Sequence, residues 1–185
     1  MQLIKWQEFI KKGLRSEKKT SVTIGIFDGV HLGHQALINK IVTYDKTYLP
    51  LIITFRKKTK PGLKNVQKDI ITFKQRLTMF KKLGIQITIV IDFTESFKQM
   101  PGIEFLEILL KRGNIGFFAV GNNFRCGCNL DTDAAAIKSF FNSQNIPAEI
   151  IPEVMEGSLP VSSSRIREAI AAGDTALANK MLGKR

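Results

Sequence analysis

Short, largely apolar runs at Val22–Phe27, Leu51–Phe55, Ile87–Ile91, Phe117–Val120 and Glu149–Ile151 constrain this chain most. Strands without a polar face must be covered on both sides, as in a parallel sheet. Between them lie amphipathic segments. His34–Thr43 follows the first run. The next opens on Thr72-Phe73-Lys74-Gln75, a capping-box pattern, sets Phe73, Leu77, Phe80 and Leu83 on one helical face and stops at Gly84. Pro101 opens Ile103–Lys111, which Gly113 closes, and Ala134–Phe141 is a further helix. This alternation predicts an α/β fold: a Rossmann-like, doubly wound parallel sheet with helices on both faces. The tail, Ser164–Leu182, reads as two short helices, the first closed by Gly173 and the second capped by Asp174. The segment Arg56–Lys68, basic and holding Pro61-Gly62, reads as a mobile loop, because the alternation continues across it. Residues 1–185 are expected to form one domain.

Composition narrows the class. With 185 residues, 44% hydrophobic and 24% charged, the chain is neither collagen-like, coiled coil nor disordered. No apolar run approaches the ~20 residues of a membrane span, and Met1–Ile10 lacks the apolar centre of a secretory signal. Cys126 and Cys128 are too close for a disulfide framework, so a cytoplasmic location without membrane association is expected. The net charge of +12 favours anionic partners. The run Arg56-Lys57-Lys58-Thr59-Lys60 has no interleaved aromatics and reads as a solvated face, so it adds little to a nucleic-acid reading, and the charge leaves nucleic acid, lipid and small phosphorylated molecules open.

Chemistry concentrates in Gly25-Ile26-Phe27-Asp28-Gly29-Val30-His31-Leu32-Gly33-His34. A strand ends in a glycine-bearing turn, and a helix starts near His34. In an open α/β sheet, ligands lie at the carboxyl ends of the strands, beside helix N-termini that attract phosphate. The spacing directs His31 and His34, the chain's two histidines, toward one ligand. The pattern is neither a Walker loop nor a dinucleotide fingerprint. Two imidazoles can hydrogen-bond phosphate oxygens and stabilise a pentavalent phosphorus. With no activated nucleophile apparent nearby, direct in-line attack by a second substrate is the simplest chemistry. Zinc is not expected, because C-x-C and H-x-x-H are tighter than its usual ligand spacings. Farther on, Ser162–Ser164 precede a helix and form a second candidate anion site, with Arg167 able to clamp phosphate.

The segment Gly25–Gln35 resembles the bacterial FAD synthetase family in its FMN adenylyltransferase half. Ala119–Gly127 is similar to that family's V-G-x-(D/N)-F-x-F-G loop, and Leu159–Arg167 to its I-S-S-T-x-I-R motif. The resemblance covers nearly the whole chain. It implies transfer of AMP from ATP to FMN with magnesium, giving FAD and pyrophosphate. By that likeness, His31, His34 and Arg167 are the catalytic set. Gly25, Ile26, Phe27, Asp28 and Gly33, with Ser162, Ser163 and Ser164, form the ATP site. Asn123, Phe124 and Phe55 face the flavin. The metal ligands are unassigned. The riboflavin kinase domain that follows in the family is expected to be absent here, which fits either a stand-alone transferase supplied with FMN by a separate kinase or a domain excised from a longer enzyme. Departures cluster on the flavin side. The family's T-F-x-P-H-P gives way to Thr54-Phe55-Arg56-Lys57-Lys58, and Cys126 replaces the second aromatic of F-x-F-G. Competing readings are another phosphorylated acceptor, such as nicotinamide mononucleotide or phosphopantetheine, and a nucleic-acid- or flavin-binding module without turnover.

Overall fold

The computed structural model describes residues 1–56 and 69–184, so the basic segment read as a mobile loop lies outside the described residues apart from Arg56, which ends a strand. Six parallel strands form the main sheet. They are β1 (Gln2–Lys5), β2 (Thr20–Gly25), β3 (Leu49–Arg56), β4 (Ile87–Asp92), β5 (Ile115–Gly121) and β8 (Ala148–Ile151), in the order β1-β4-β3-β2-β5-β8. Two small antiparallel pairs lie outside it, β6 (Arg125–Cys126) with β7 (Thr132–Asp133) and β9 (Met155–Glu156) with β10 (Leu159–Pro160). From β2 the chain winds outward through β3 and β4, then returns to the other side of β2 through β5 and β8. The order reverses between β2 and β5, where doubly wound sheets open a ligand crevice.

Strand pleating divides the core. Leu51, Ile53, Phe118 and Val120 point to the face covered by α1 (Trp6–Lys12), α5 (Gly102–Arg112) and α6 (Ala134–Ser143). Their neighbours Ile52, Phe117 and Ala119 point to the face covered by α2 (Leu32–Thr43) and α3 (Phe73–Lys82). Adjacent residues therefore serve opposite layers, which is why these strands carry no polar face. The capping box forms at α3, where Thr72 N–H donates to Gln75 Oε1 at 2.8 Å and Gln75 N–H donates to Thr72 Oγ1 at 3.2 Å. A single turn, α4 (Glu95–Lys98), lies between β4 and α5. The tail forms α7 (Ser163–Ala171) and α8 (Thr175–Leu182), with Gly173 at φ +77° and Asp174 capping Leu177 N–H at 2.9 Å. Their cluster of Ile166, Ala169, Met181 and Leu182 is separate from both sheet cores. Among the described residues, no helix is long and apolar enough to cross a membrane.

Three expectations shift. The first strand stops at Gly25, because Phe27 turns into the left-handed region at φ 56° and starts the 3₁₀ turn Asp28–Val30. The helix after it begins at Leu32, two residues early, with His31 extended at its N-cap. The N-terminus, which carries no strand in the sequence reading, supplies β1 and α1. In β1 only Ile4 is buried, as suits a sheet edge.

Candidate active site

The motif at the end of β2 is shaped by close approaches. A Cβ on Gly25 would meet the Phe27 ring at 3.1 Å, and one on Gly33 would meet His31 Nδ1 at 3.3 Å. The bare Gly33 lets the His31 ring lie across the first turn of α2. There it stacks on His34, centroids 3.6 Å apart and planes 22° apart. Phe27 lies below, edge-on to His34 at 5.1 Å and to Phe80 at 5.6 Å. Both imidazoles are neutral at pH 7. Burial lowers His31 to about 4 against the opposing pull of Asp28. Burial, then the neighbouring His31 and Arg76, hold His34 well below its usual 6.5. Each ring keeps a buried Nδ1 without a hydrogen-bond partner.

Asp28 is 3% exposed and joins the motif to distant parts of the chain. Its carboxylate accepts from Ile70 N–H at 3.0 Å, from Ile71 N–H at 3.4 Å and from Arg167 Nη2 at 2.5 Å. Its carbonyl accepts from Ser163 Oγ at 3.0 Å, so α7 docks directly on the histidine turn. Of the three serines, Ser162 caps α7 by accepting from Arg165 N–H at 3.2 Å, while Ser164 is exposed. Arg165 turns away and donates to the carbonyls of Leu159 at 2.8 Å and Glu156 at 3.0 Å.

A cavity of about 640 Å³ opens beside this turn. Gly25, Ile26, His34 and Ser163 line one end. Phe55, Phe93, Phe97, Met100, Phe105 and Leu130 make much of the remainder apolar. Asn123, Phe124, Cys126 and Gly127, which follow β5, close the far wall. Thus Gly25, Ile26, His34, Ser163, Phe55, Asn123 and Phe124 meet on one cavity. His31, Asp28, Gly33, Ser162 and Arg167 form the adjoining cluster, and the fully buried Phe27 supports both from beneath. The Asn123 amide donates to the Glu153 carboxylate, which fixes its orientation. Burial pushes the Cys126 thiol up to about 12, making it an inert piece of apolar wall. Sequence reading missed Phe93, Phe97, Glu153 and Arg76. The four-residue spacing of Phe93 and Phe97 past a strand end was a legible signal. The other two carry none, since their contacts join residues far apart in sequence.

A parallel sheet whose order reverses at β2 and β5, with H-x-G-H at that crevice, defines a nucleotidylyltransferase-like α/β domain. A pantoate–β-alanine ligase from Francisella tularensis, solved with an ATP analogue and β-alanine, shares the fold at a TM-score of 0.58 and 15% identity, over 99% of this chain and 78% of its own. A Streptococcus pneumoniae structure described as a macrolide-efflux protein superposes with a TM-score of 0.82 at 25% identity, covering all of this chain and 60% of its own. The family model described as FAD synthetase matches residues 14–165, and the chain belongs to that family. A bifunctional riboflavin kinase/FMN adenylyltransferase of Buchnera aphidicola (subsp. Schizaphis graminum) is 30% identical over 183 residues, which are 94% of this chain and 59% of that protein. The protein of that description in Escherichia coli is 26% identical, over 88% of this chain and 53% of its own. The chain thus spans little more than half the length of these relatives.

Proposed function

We propose that this chain transfers AMP from Mg-ATP to FMN, giving FAD and pyrophosphate. The observation that carries this reading is the apolar, aromatic-rich cavity opening directly onto His34 at the switch between β2 and β5. It suits a large flat ring, while the adjoining cluster at the N-terminus of α2 suits phosphate. Family membership and the relatives' descriptions support the same pairing of substrates.

A phosphate oxygen of FMN attacks the α-phosphorus of ATP in line. The new P–O bond forms as the bond from the α-phosphorus to the bridging oxygen breaks, and that oxygen leaves with pyrophosphate. His31, His34 and the N–H groups of α2 stabilise charge on the phosphoryl oxygens. Neutral imidazoles act here as hydrogen-bond donors, and their unpartnered nitrogens provide the capacity. Arg167, paired with Asp28, contributes positive charge from α7. Asn123, Phe124 and Phe55, which line the cavity, receive the flavin ring. Magnesium bound to the triphosphate would supply positive charge to the phosphoryl oxygens. Among the described residues no group of three or more His, Cys, Asp or Glu is placed to hold a metal ion. FMN comes from a riboflavin kinase activity, and the reaction runs in the cytoplasm, consistent with two free cysteines.

The test is incubation of the chain with Mg-ATP and either FMN or riboflavin, with chromatographic separation of the flavins. FAD formed from FMN, and no product from riboflavin, is the expected result. Unchanged FMN would refute the proposal. His34→Ala should lower kcat by on the order of 10²-fold while the protein stays folded.

A further inference from the structure

Arg76 is a charged residue near the start of α3, yet it is only 3% exposed. Buried guanidinium groups are ordinarily matched by a carboxylate. Among the described residues Arg76 has no carboxylate within ion-pair distance, although Asp28 and Asp69 lie near enough to pull on its charge. Its Nη1 is turned to the strand ends instead, while Nε is buried without a hydrogen-bond partner. Nη1 donates to the carbonyl of Ile26, to the carbonyl of Phe55 at 3.2 Å and to Thr54 Oγ1 at 3.4 Å. Thr54 Oγ1 itself donates to the Ile26 carbonyl at 3.2 Å. The ring of Phe73 lies 5.2 Å from the guanidinium carbon.

The two carbonyls belong to different strand ends. Ile26 follows β2 at the histidine end of the cavity, and Phe55 sits near the end of β3 on the aromatic wall. Carbonyls beyond a sheet's last ladder bonds need partners when buried. One cation satisfies both and fixes their separation. A clamp of this kind matters most where two reactants must meet within a few tenths of an ångström.

We infer that Arg76 is a positioning residue: it ties the phosphate-facing end of β2 to the aromatic wall of β3 and sets the distance between the two substrate halves. The inference rests on the adenylyl-transfer reading for its kinetic consequence, but the clamp itself can be tested without turnover.

Arg76→Met and Arg76→Lys are compared with the unaltered chain in three measurements. These are hydrogen exchange at the ends of β2 and β3, dissociation constants for Mg-ATP and FMN each alone, and kcat for FAD formation. In Arg76→Met, exchange should accelerate at Gly25–Asp28 and Thr54–Arg56. Each dissociation constant should stay within about threefold, and kcat should fall about 10²-fold. Arg76→Lys keeps a cation with several donors and should recover kcat to within about tenfold of the unaltered chain. If Arg76→Met is folded and turns over normally, or melts early with normal kcat per folded molecule, the positioning role is overturned. Unchanged exchange at both strand ends overturns the clamp. If Arg76→Met does not fold, the decision rests on Arg76→Lys: altered exchange confined to these two strand ends supports the clamp, and exchange like that of the unaltered chain overturns it. Absence of FAD from the unaltered chain refutes the proposed transfer and leaves the exchange result to decide the clamp.

Discussion

His31 and His34 stack ring on ring at 3.6 Å, a geometry two imidazolium ions could not share without repulsion. Burial depresses His31 to about 4 from its ordinary 6.5, so as the pH falls the unfolded chain takes up the proton first. This contribution to stability is complete above the ordinary value and is lost as the pH falls toward the folded one. The expected penalty from His31 is on the order of 2–3 kcal/mol between about pH 7.5 and about pH 4. Thermal melting across that range should show the loss, and His31→Gln should show visibly less of it; equal pH dependence in both proteins would place the titrating group elsewhere. The histidines were legible in the sequence because H-x-G-H is local. Their neutral state was not, since it comes from burial beneath the turn and, for His34, also from the neighbouring His31 and from Arg76 on α3. Asp28 shows the same division. Its place in the motif is plain from the sequence, but its bond to Arg167 spans 139 positions and exists only in the fold.

Elements with a strong apolar signature were read correctly, and those missed were short or polar. Strands β2 to β5 announce themselves because both faces are covered, whereas the edge strand β8 buries only Ala148. Strand β1 buries only Ile4, and a lone apolar position has no periodicity to detect. Helix α3 was found from its capping box and apolar face, but that face also buries Arg76, which no hydrophobic pattern could include. The pair β6–β7 was equally invisible, since two-residue strands have no period. It nevertheless shapes the far wall of the cavity. Gly127 follows β6 at φ +85°, and a Cβ there would meet Asp131 Oδ1 at 2.0 Å and Gly102 N at 2.4 Å. Asp131 in turn accepts from Gly102 N–H at 3.0 Å at the start of α5. Gly127→Ala should therefore push the β6–β7 turn off α5 and destabilise the protein by about 1–3 kcal/mol. In the proposed reading the same variant should raise the dissociation constant for FMN more than that for Mg-ATP, because Gly127 lines the cavity proposed for the flavin. Calorimetric unfolding with separate titrations of the two substrates checks both. Equal losses for the two ligands would mean that the damage is global.

Doubly wound topology puts the ends of β2 and β3 and the segment after β5 around one opening, and an aromatic layer runs from that opening along one face of the sheet to α1. Phe55 touches Phe93 at 5.0 Å and Phe97 at 6.1 Å, and Phe97 meets Phe105 at 5.8 Å. Trp6, the sole tryptophan, closes the series at 5.9 Å from Phe97 and 5.5 Å from Phe105. It is 5% exposed and sits one ring behind the cavity wall. A flavin stacked against Phe55 and Phe97 would lie close to Trp6, whose emission overlaps flavin absorption, so energy transfer between them is efficient. FMN binding should quench most of the tryptophan fluorescence, with saturation at one flavin per chain. Mg-ATP, which the proposed reading puts at the histidine end and which absorbs nowhere near the tryptophan emission, should leave the intensity nearly unchanged. Phe97→Ala should weaken FMN affinity by roughly 10-fold, the scale of removing one aromatic contact, and leave the Mg-ATP affinity within about threefold. Saturable quenching by FMN with unaltered affinity in Phe97→Ala would move the flavin out of this cavity, and no quenching at all would remove it from the neighbourhood of Trp6. The readout reports occupancy rather than turnover, so it separates a chain that holds flavin without transferring AMP from one that never receives it.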